Sequence, residues 1–208
     1  MSNLFSFQRK GTSPDVITIH TGEDDIKNLS IIDQFNGQHS LNMWSSDECN
    51  QIDGTDGSQF PPHYMDKVQK LNVFIKSFCR KFPLIFDSEV NIFDGIPAWR
   101  YKAPLDVFAH PNITAENQCY CDVNTGVCPP SGVLDVQKCF NAPIIASMPH
   151  FLGGDAKLFK NIIGLNPKEE LHRNYADIHP RLAFPISGAS RFQINVQIKK
   201  DTLFTGIC

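Results

Sequence analysis

The chain has 208 residues, 41% of them hydrophobic, and a formal net charge of −3 at pH 7. This composition supports a folded core, and a weak negative charge without a basic run gives no reason to expect nucleic acid as a partner. No apolar run reaches the roughly 20 residues of a membrane span, and fourteen Pro with thirteen Gly predict many turns and few long helices.

The first half of the chain predicts short strands and one segment of ambiguous structure. Residues 16–19 are β-branched throughout and predict a strand. Residues 68–82 carry apolar side chains at helical spacing, yet residues 73–75 also suit a buried strand. Residues 99–101, Trp-Arg-Tyr, predict a further short strand.

The next segment predicts one strand and two helices. Residues 144–146 fit a short strand. Asp155 is predicted to cap a helix that runs through Ile163 and stops at the following glycine. Asn166, with a proline directly after it, predicts the start of a second helix.

Residues 192–198 give the strongest strand pattern in the chain. Apolar and polar residues alternate there without a miss. Alternation with a period of two predicts one buried face and one wet face, and the apolar face is the one expected inside.

Six of the seven cysteines lie within residues 49–139, among Pro, Gly, Asn and Asp. They are Cys49, Cys79, Cys119, Cys121, Cys128 and Cys139. An even-numbered cluster on loop-rich sequence predicts disulfides, which persist only in oxidising compartments. Zinc and free buried thiols are the competing interpretations. The spacings Cys-x-Cys and Cys-x6-Cys disfavour zinc, because structural zinc sites use Cys-x2-4-Cys clips.

Two N-glycosylation sequons occur, at Asn28 and at Asn112. Both predict surface positions in a protein that passes through the secretory route. Asn28 lies just before the apolar pair Ile31-Ile32, so partial burial of that site stays open. The sequons and the cysteines agree on an extracellular or luminal location. Since the N-terminus has no signal-peptide pattern, we expect this sequence to be a piece of a longer protein.

Sequence motifs of the common catalytic sites are absent. The chain has no nucleophile elbow, zinc-protease helix, P-loop or dinucleotide-binding loop. Residues 53–57 superficially resemble a calcium loop, but Ser58 and Tyr64 stand where that loop needs Gly and Glu, so tight turns are predicted instead. His150 and His179 are expected to be structural. We predict no enzyme activity, metal or cofactor, although a triad assembled from distant positions stays open.

Four groups of motifs follow one another along the chain. The first two are residues 49–57 followed by Phe-Pro-Pro at 60–62, and Gly-Ile-Pro-Ala-Trp-Arg-Tyr at 95–101. The third is Ser-Gly-Val-Leu-Asp at 131–135 through Lys-Cys at 138–139. The fourth is Ala-Pro-Ile-Ile at 142–145 with Pro-His-Phe at 149–151, Gly-Leu-Asn-Pro at 164–167 and Asp-Ile-His-Pro at 177–180. In order and spacing together, these motifs resemble the class B scavenger receptor family, most of all its lysosomal and invertebrate members, and the similarity covers nearly the whole chain.

The resemblance implies an α+β, β-rich fold. The family domain is an irregular antiparallel β-barrel with short helices and a hydrophobic tunnel, stapled by disulfides. Residues 1–208 resemble the C-terminal portion of this single extracellular or luminal domain, which a membrane span anchors at each end. For residues 68–82 the resemblance favours a strand followed by a short helical turn.

The resemblance also implies a disulfide pairing. Cys49 is expected to pair with Cys119, Cys79 with Cys139, and Cys121 with Cys128. Cys208 is then left unpaired. The sequence by itself does not choose among the possible pairings of six cysteines.

The implied function is that of a membrane receptor without catalytic activity, at the plasma membrane or the lysosomal membrane. Its partners are expected to be lipids (fatty acids, sterols or phospholipids) or lipoproteins, with lipid passed toward the membrane. The alternative is recognition of protein ligands, either as a hydrolase escort or in phagocytic recognition of apoptotic cells or pathogens. The Phe-rich composition fits an apolar conduit and fits an ordinary core equally well.

Overall fold

The computed structural model describes residues 14–122 and 125–197, and most of its regular structure is antiparallel strand. The strands are β1 (Ile17–Ile19), β2 (Ile32–Phe35), β3 (Leu71–Ile75), β4 (Arg80–Ile92), β5 (Ile96–Lys102), β6 (Val133–Asp135), β7 (Ile144–Ser147), β8 (Tyr175–Ile178), β9 (Pro185–Ala189) and β10 (Gln193–Val196). Three α-helices of one turn each lie in the described ranges: α1 (Asp47–Asn50), α2 (Gln137–Phe140) and α3 (Glu169–His172). The strands form sheets of order β1-β2, β3-β4-β5-β8-β9 and β10-β7-β6.

Strand β4 is the longest strand of the five-stranded sheet. It has 13 residues and pairs with β3 on one side and β5 on the other. A register shift between Phe86 and Ser88 marks a bulge, and bulges bend the strand and increase its twist. The sheet accordingly curls into a half-barrel, which confirms the β-rich class and its barrel-like character.

The ambiguous segment, residues 68–82, resolves into strand, turn and strand. Strand β3 ends at Ile75, and a 3-10 helix, Lys76–Phe78, follows directly. Cys79 then takes a left-handed conformation, with φ of 49°, and reverses the chain into β4. The expectation of a strand followed by a short helical turn is confirmed.

Both helix predictions are corrected. Asp155 makes no side-chain cap, and the helix predicted through Ile163 is only a 3-10 turn, Ala156–Leu158. Leu158 and Phe159 are half-buried, but Ile162 and Ile163 are exposed, so the second half of the apolar face is not covered in the described part of the chain. An isolated helical segment without such packing is not stable by itself. The second helix, α3, begins at Glu169 with Lys168 as its cap, not with Asn166.

The other predicted strands are confirmed in position, but the burial of residues 192–198 is not as expected. Strand β10 covers Gln193–Val196, and Ile198 lies outside the described residues. Ile194 and Val196 are 42% and 54% exposed, while Phe192 packs on the core. The predicted strand is therefore correct, but the prediction that its apolar side chains are buried is wrong for Ile194 and Val196.

Residues 53–57 form tight turns, as predicted. Gly54 has φ of +98°, and a Cβ there would lie 2.1 Å from the carbonyl oxygen of Asn72. Only glycine permits this approach, which brings Thr55 beside Val73 in a parallel bridge. The side chain of Asp56 accepts hydrogen bonds from the backbone N–H and the hydroxyl of Ser58.

The main core lies between the curled sheet and the three-stranded sheet. Its most buried large side chains include Phe60, Leu71, Tyr101, Met148 and Ile178. Aromatic rings continue it in edge-to-face contacts, for example from Phe192 to Phe78 and Phe82. These contacts account for part of the high phenylalanine content.

Candidate functional site

Three disulfides cross-link short helices and turns of the chain. They join Cys49 to Cys119, Cys79 to Cys139 and Cys121 to Cys128, with Cα separations of 6.3, 6.1 and 4.4 Å. These are the same pairs that the family resemblance implies. Cys208 lies outside the described residues.

The two sequon asparagines lie at the surface. Asn28 ends a 3-10 helix, Ile26–Asn28, and is exposed despite the apolar residues that follow it. Asn112 is exposed in the turn after Pro111, and its backbone N–H donates to Nδ1 of His110 over 3.2 Å. Both asparagines are therefore exposed in the described part of the chain.

An apolar row on the three-stranded sheet runs from the core to the surface. Leu134, Ala146 and Ile194 lie side by side on β6, β7 and β10. The first two are buried in the core, whereas Ile194 is exposed. Ile144 and Val196 form a parallel row with the same gradient. The core face therefore continues past its covered part onto the edge strand.

A buried arginine lies at the start of β4. Arg80 is 5% exposed and shares one strand face with the buried Phe82 and Leu84. Its guanidinium carbon lies 3.8 Å from the ring centre of Tyr120 and 5.7 Å from that of Phe108. In the described ranges, no carboxylate oxygen forms an ion pair with it.

Within the described residues, the side-chain hydrogen bonds of Arg80 are long and go to neutral groups. Its Nε donates to the Lys81 carbonyl over 3.3 Å, and Nη2 donates to Oδ1 of Asn117 over 3.4 Å. Burial lowers the pKa of Arg80, and a contact with the Tyr120 hydroxyl opposes the shift. The desolvation of a buried ion costs several kcal/mol, whereas a desolvated cation–π contact contributes about 2 kcal/mol. None of the described contacts supplies Arg80 with an opposite charge.

Arg80 is one of the residues that line a cavity of about 260 Å³. Charged residues of both signs line it: Glu48, Lys70, Arg80, Lys81, Asp106 and Glu116. Its three carboxylates are on exposed residues, and Arg80 is the one buried ion in this lining. Burial raises the pKa of Tyr120, which also lines the cavity, and Glu48 adds to the shift.

Two histidine rings stack near the end of β7. The ring centres of His150 and His172 are 4.3 Å apart, and the planes are nearly parallel. Nδ1 of His150 accepts the Asn166 N–H, and Nδ1 of His172 accepts the Lys168 N–H. The structural role expected for His150 is confirmed, and the pair joins the turn after β7 to the segment before α3. Nδ1 of His179 likewise accepts backbone N–H groups, from Arg181 and Leu182.

Two features of the described residues bear on metals and membranes. Within residues 14–122 and 125–197, no three His, Cys, Asp or Glu side chains gather where they could hold a metal ion. In the same ranges no helix is long and apolar enough to cross a membrane.

The disulfide framework and the curled sheet have a counterpart among known proteins. Residues 2–207 match the model of the CD36 family. The chain belongs to the CD36 family. The resemblance to class B scavenger receptors is thereby confirmed.

Several animal members of the CD36 family are similar over most of this chain. It is 40% identical over 203 residues to lysosome membrane protein 2 of Rattus norvegicus, a match that covers 96% of this chain and 41% of the relative. It is 36% identical over 199 residues to sensory neuron membrane protein 1 of Bombyx mori, covering 96% and 37%. It is 33% identical over 206 residues to scavenger receptor class B member 1 of Sus scrofa, covering 95% and 39%. The chain thus spans about two fifths of the length of these relatives.

Sequence reasoning about this CD36-family chain missed Arg80 and the His150–His172 stack. A signal for Arg80 was present, because the alternation of Phe82 and Leu84 extends back to position 80 and predicts an inward side chain. The sequence around each residue does not predict that His150 contacts His172, because the fold of the intervening loop brings the two rings together.

Proposed function

We propose that residues 1–208 form the C-terminal portion of the extracellular or luminal domain of a scavenger receptor. This receptor binds lipids or lipoproteins and passes lipid toward the membrane without chemical change. Membership of the CD36 family supports the receptor role, and relatives that carry the names of membrane proteins and scavenger receptors support membrane anchoring. The location is the outer face of the plasma membrane or the luminal face of the lysosomal membrane.

The observation that carries the lipid proposal is the apolar row of Leu134, Ala146 and Ile194. It continues the core face onto exposed side chains, as the wall of an apolar conduit requires. Each methylene of an acyl chain that is buried there contributes about 0.8 kcal/mol, so a long chain binds without many polar contacts. Such binding needs no catalytic group.

Lipid extraction tests this proposal directly. The complete protein is purified and extracted with solvent, and mass spectrometry of the extract is expected to show fatty acids, sterols or phospholipids. Uptake of labelled cholesterol or fatty acid is expected to fall in Ile194→Ser. The control is Val68→Ser, which removes an exposed valine outside the apolar row. A lipid-free protein that also takes up neither label would refute the lipid function.

A protein ligand is the second candidate function, and one observation favours it. Ile162 and Ile163 are adjacent and exposed, and side chains of this kind serve as anchors at protein interfaces. If the receptor recognises a hydrolase or an apoptotic cell there, the double change to serine is expected to abolish that binding and leave lipid uptake unchanged. If the double variant binds the protein ligand as tightly as the wild type does, Ile162 and Ile163 do not form the binding surface.

The secretory location has its own test at the sequons. Because Asn28 and Asn112 are exposed, both are expected to carry N-glycans when the complete protein is made in eukaryotic cells. Each change to glutamine should reduce the apparent mass by one glycan, and enzymatic deglycosylation should remove the difference. An unoccupied Asn112 in glycopeptide analysis would argue against this location.

A further inference from the structure

We propose that the cavity beside Arg80 binds an oxyanion, a carboxylate or a phosphate group, which supplies the missing counter-charge of the buried guanidinium. The site goes beyond the lipid function proposed above and does not depend on it. Both a free anion and the head group of a lipid present this chemistry.

The unsatisfied donors of Arg80 are the first support. An arginine has five N–H donors in a rigid fork. Its hydrogen-bond acceptors in the described residues are the Lys81 carbonyl and the Asn117 side chain, and both are uncharged. The fork therefore keeps donors that no described carboxylate matches, Arg80 lines the cavity, and two parallel N–H bonds are the geometry in which guanidinium binds carboxylate or phosphate.

The contrast with the other buried charge is the second support. In the described part of the chain, the charged residues classed as buried are Arg80 and Asp177. Asp177 receives two hydrogen bonds from Arg100, of 2.7 and 2.8 Å. The fold thus gives a direct ionic partner to one of its two buried charges, and the other borders a cavity.

The rigidity of the surroundings is the third support. Tyr120 lies between Cys119 and Cys121, both of which are in disulfides, and Cys79 in a third disulfide directly precedes Arg80. The Trp44 ring packs edge-on against Tyr120 at 5.0 Å and donates its Nε1–H to the Cys79 carbonyl. The guanidinium is therefore held in place before a ligand arrives, which lowers the entropic cost of binding.

The other charges of the cavity do not supply the counter-charge. Glu48, Asp106 and Glu116 are exposed, and the Asp106 carboxylate already accepts a hydrogen bond from Thr114 over 3.1 Å. None of the three forms an ion pair with Arg80, and exposed carboxylates are largely screened by water and salt. Lys70 in the same lining is exposed, and Lys81 pairs with Asp53 over 3.8 Å, so the buried Arg80 is the main cation offered to an entering anion.

Phosphate titration of the complete, oxidised protein tests the proposal. Sodium phosphate is added at constant ionic strength against chloride, and the melting temperature is followed. A saturable rise is expected for the wild type and for Arg181→Gln, a control that removes an exposed arginine outside the cavity. For Arg80→Gln the affinity is expected to fall at least about tenfold. Arg80→Lys, which keeps the charge but loses the fork, should bind with intermediate affinity.

The outcomes separate the two sources of the anion. Competition between phosphate and a short-chain phosphatidic acid would assign the site to a lipid head group, and binding of phosphate without competition would assign it to a free anion. Absence of a saturable phosphate effect in the wild type, or equal affinity in Arg80→Gln, would overturn the proposal. If Arg80→Gln does not fold, the wild-type and Arg80→Lys titrations still decide. Because no lipid is needed for the phosphate readout, failure of the lipid function is measured separately.

Discussion

At the scale of single residues, the ion pair of Arg100 and Asp177 is the strongest polar contact between β5 and β8. The two residues are direct neighbours in the strand register, and the pair is bidentate. Asp177 is 1% exposed, and the Arg100 guanidinium also lies 4.5 Å from the ring centre of Tyr175. The carboxylate is thus buried with one ionic partner in the described ranges.

Removal of that partner is expected to be costly. Arg100→Gln should lower the free energy of unfolding by about 3–5 kcal/mol, because an unpaired carboxylate is left in the core. Denaturant unfolding of the complete protein measures the change, with Arg181→Gln as the exposed control. The double variant Arg100→Met, Asp177→Leu should recover much of the loss. If it is less stable than the single variant, burial of the unpaired charge is not the cause.

His172 of the stacked pair couples stability to pH. Burial lowers the pKa of His172, and His150, Arg191 and Lys168 lower it further, while Glu170 acts in the opposite direction. Protonation of Nδ1 would also destroy the hydrogen bond from the Lys168 N–H. A histidine with a lowered folded-state pKa favours folding above the unfolded value of about 6.5, and this contribution is lost as the pH falls below it.

The melting temperature is therefore expected to fall as the pH is lowered from about 7 toward 5. His172→Asn keeps an acceptor near the position of Nδ1 but does not titrate, so its melting temperature should fall less over the same range. His63→Asn changes an exposed histidine outside this stack and serves as the control. Identical pH profiles for His172→Asn and the wild type would show that the stack is not responsible.

At the scale of elements, the disulfides join segments that strand pairing does not reach. Cys49 of α1 and Cys119 are 70 residues apart, and the link holds the helix against the 3-10 helix Ala115–Tyr120. Cys121 and Cys128 are only 7 residues apart and close a local turn. In the chain-entropy model the longer loop gives the larger stabilisation.

Replacing both cysteines of a disulfide is expected to lower the free energy of unfolding more when that disulfide closes a longer loop. Changing Cys49 and Cys119 to alanine should lower the unfolding free energy by about 4 kcal/mol, and changing Cys121 and Cys128 by about 2 kcal/mol. Non-reducing peptide mapping of the wild type checks the pairing itself. Free thiols, or a peptide that links Cys119 to Cys128, would contradict the framework.

At the scale of the whole molecule, the exposed apolar rows are expected to make residues 1–208 aggregate when produced without the rest of the protein. Ile194 and Val196 continue the core face, and in the described sheets β10 has no neighbour on its outer side. Light scattering after size-exclusion chromatography should show oligomers. Ile194→Lys with Val196→Lys should reduce them, whereas Val68→Lys should not. A monomer with one sharp melting transition would mean that the chain is a complete domain.

Patterns among neighbouring residues were sufficient to predict part of the fold and of the candidate site. The β-branched run at residues 16–19, the alternation at 192–198 and the Asp-Gly turns at 53–57 each depend on neighbours in sequence, and the structure places β1, β10 and those turns there. The same kind of pattern gave a wrong helix at residues 155–163, because helical spacing is only useful where another element covers the face.

What the sequence by itself determined is the family, the β-rich class and the expectation of disulfides and of surface sequons, since motif spacing and side-chain chemistry are local properties. The pairing of the cysteines was implied by the family resemblance and not by the residues alone. Only the tertiary structure decided that Arg80 lies over Tyr120 beside a cavity, and that His150 meets His172. It also decided that Ile194 and Val196 are exposed. Burial and ionic pairing depend on which distant segments the fold brings together, and alternation along one strand does not specify what covers its apolar face.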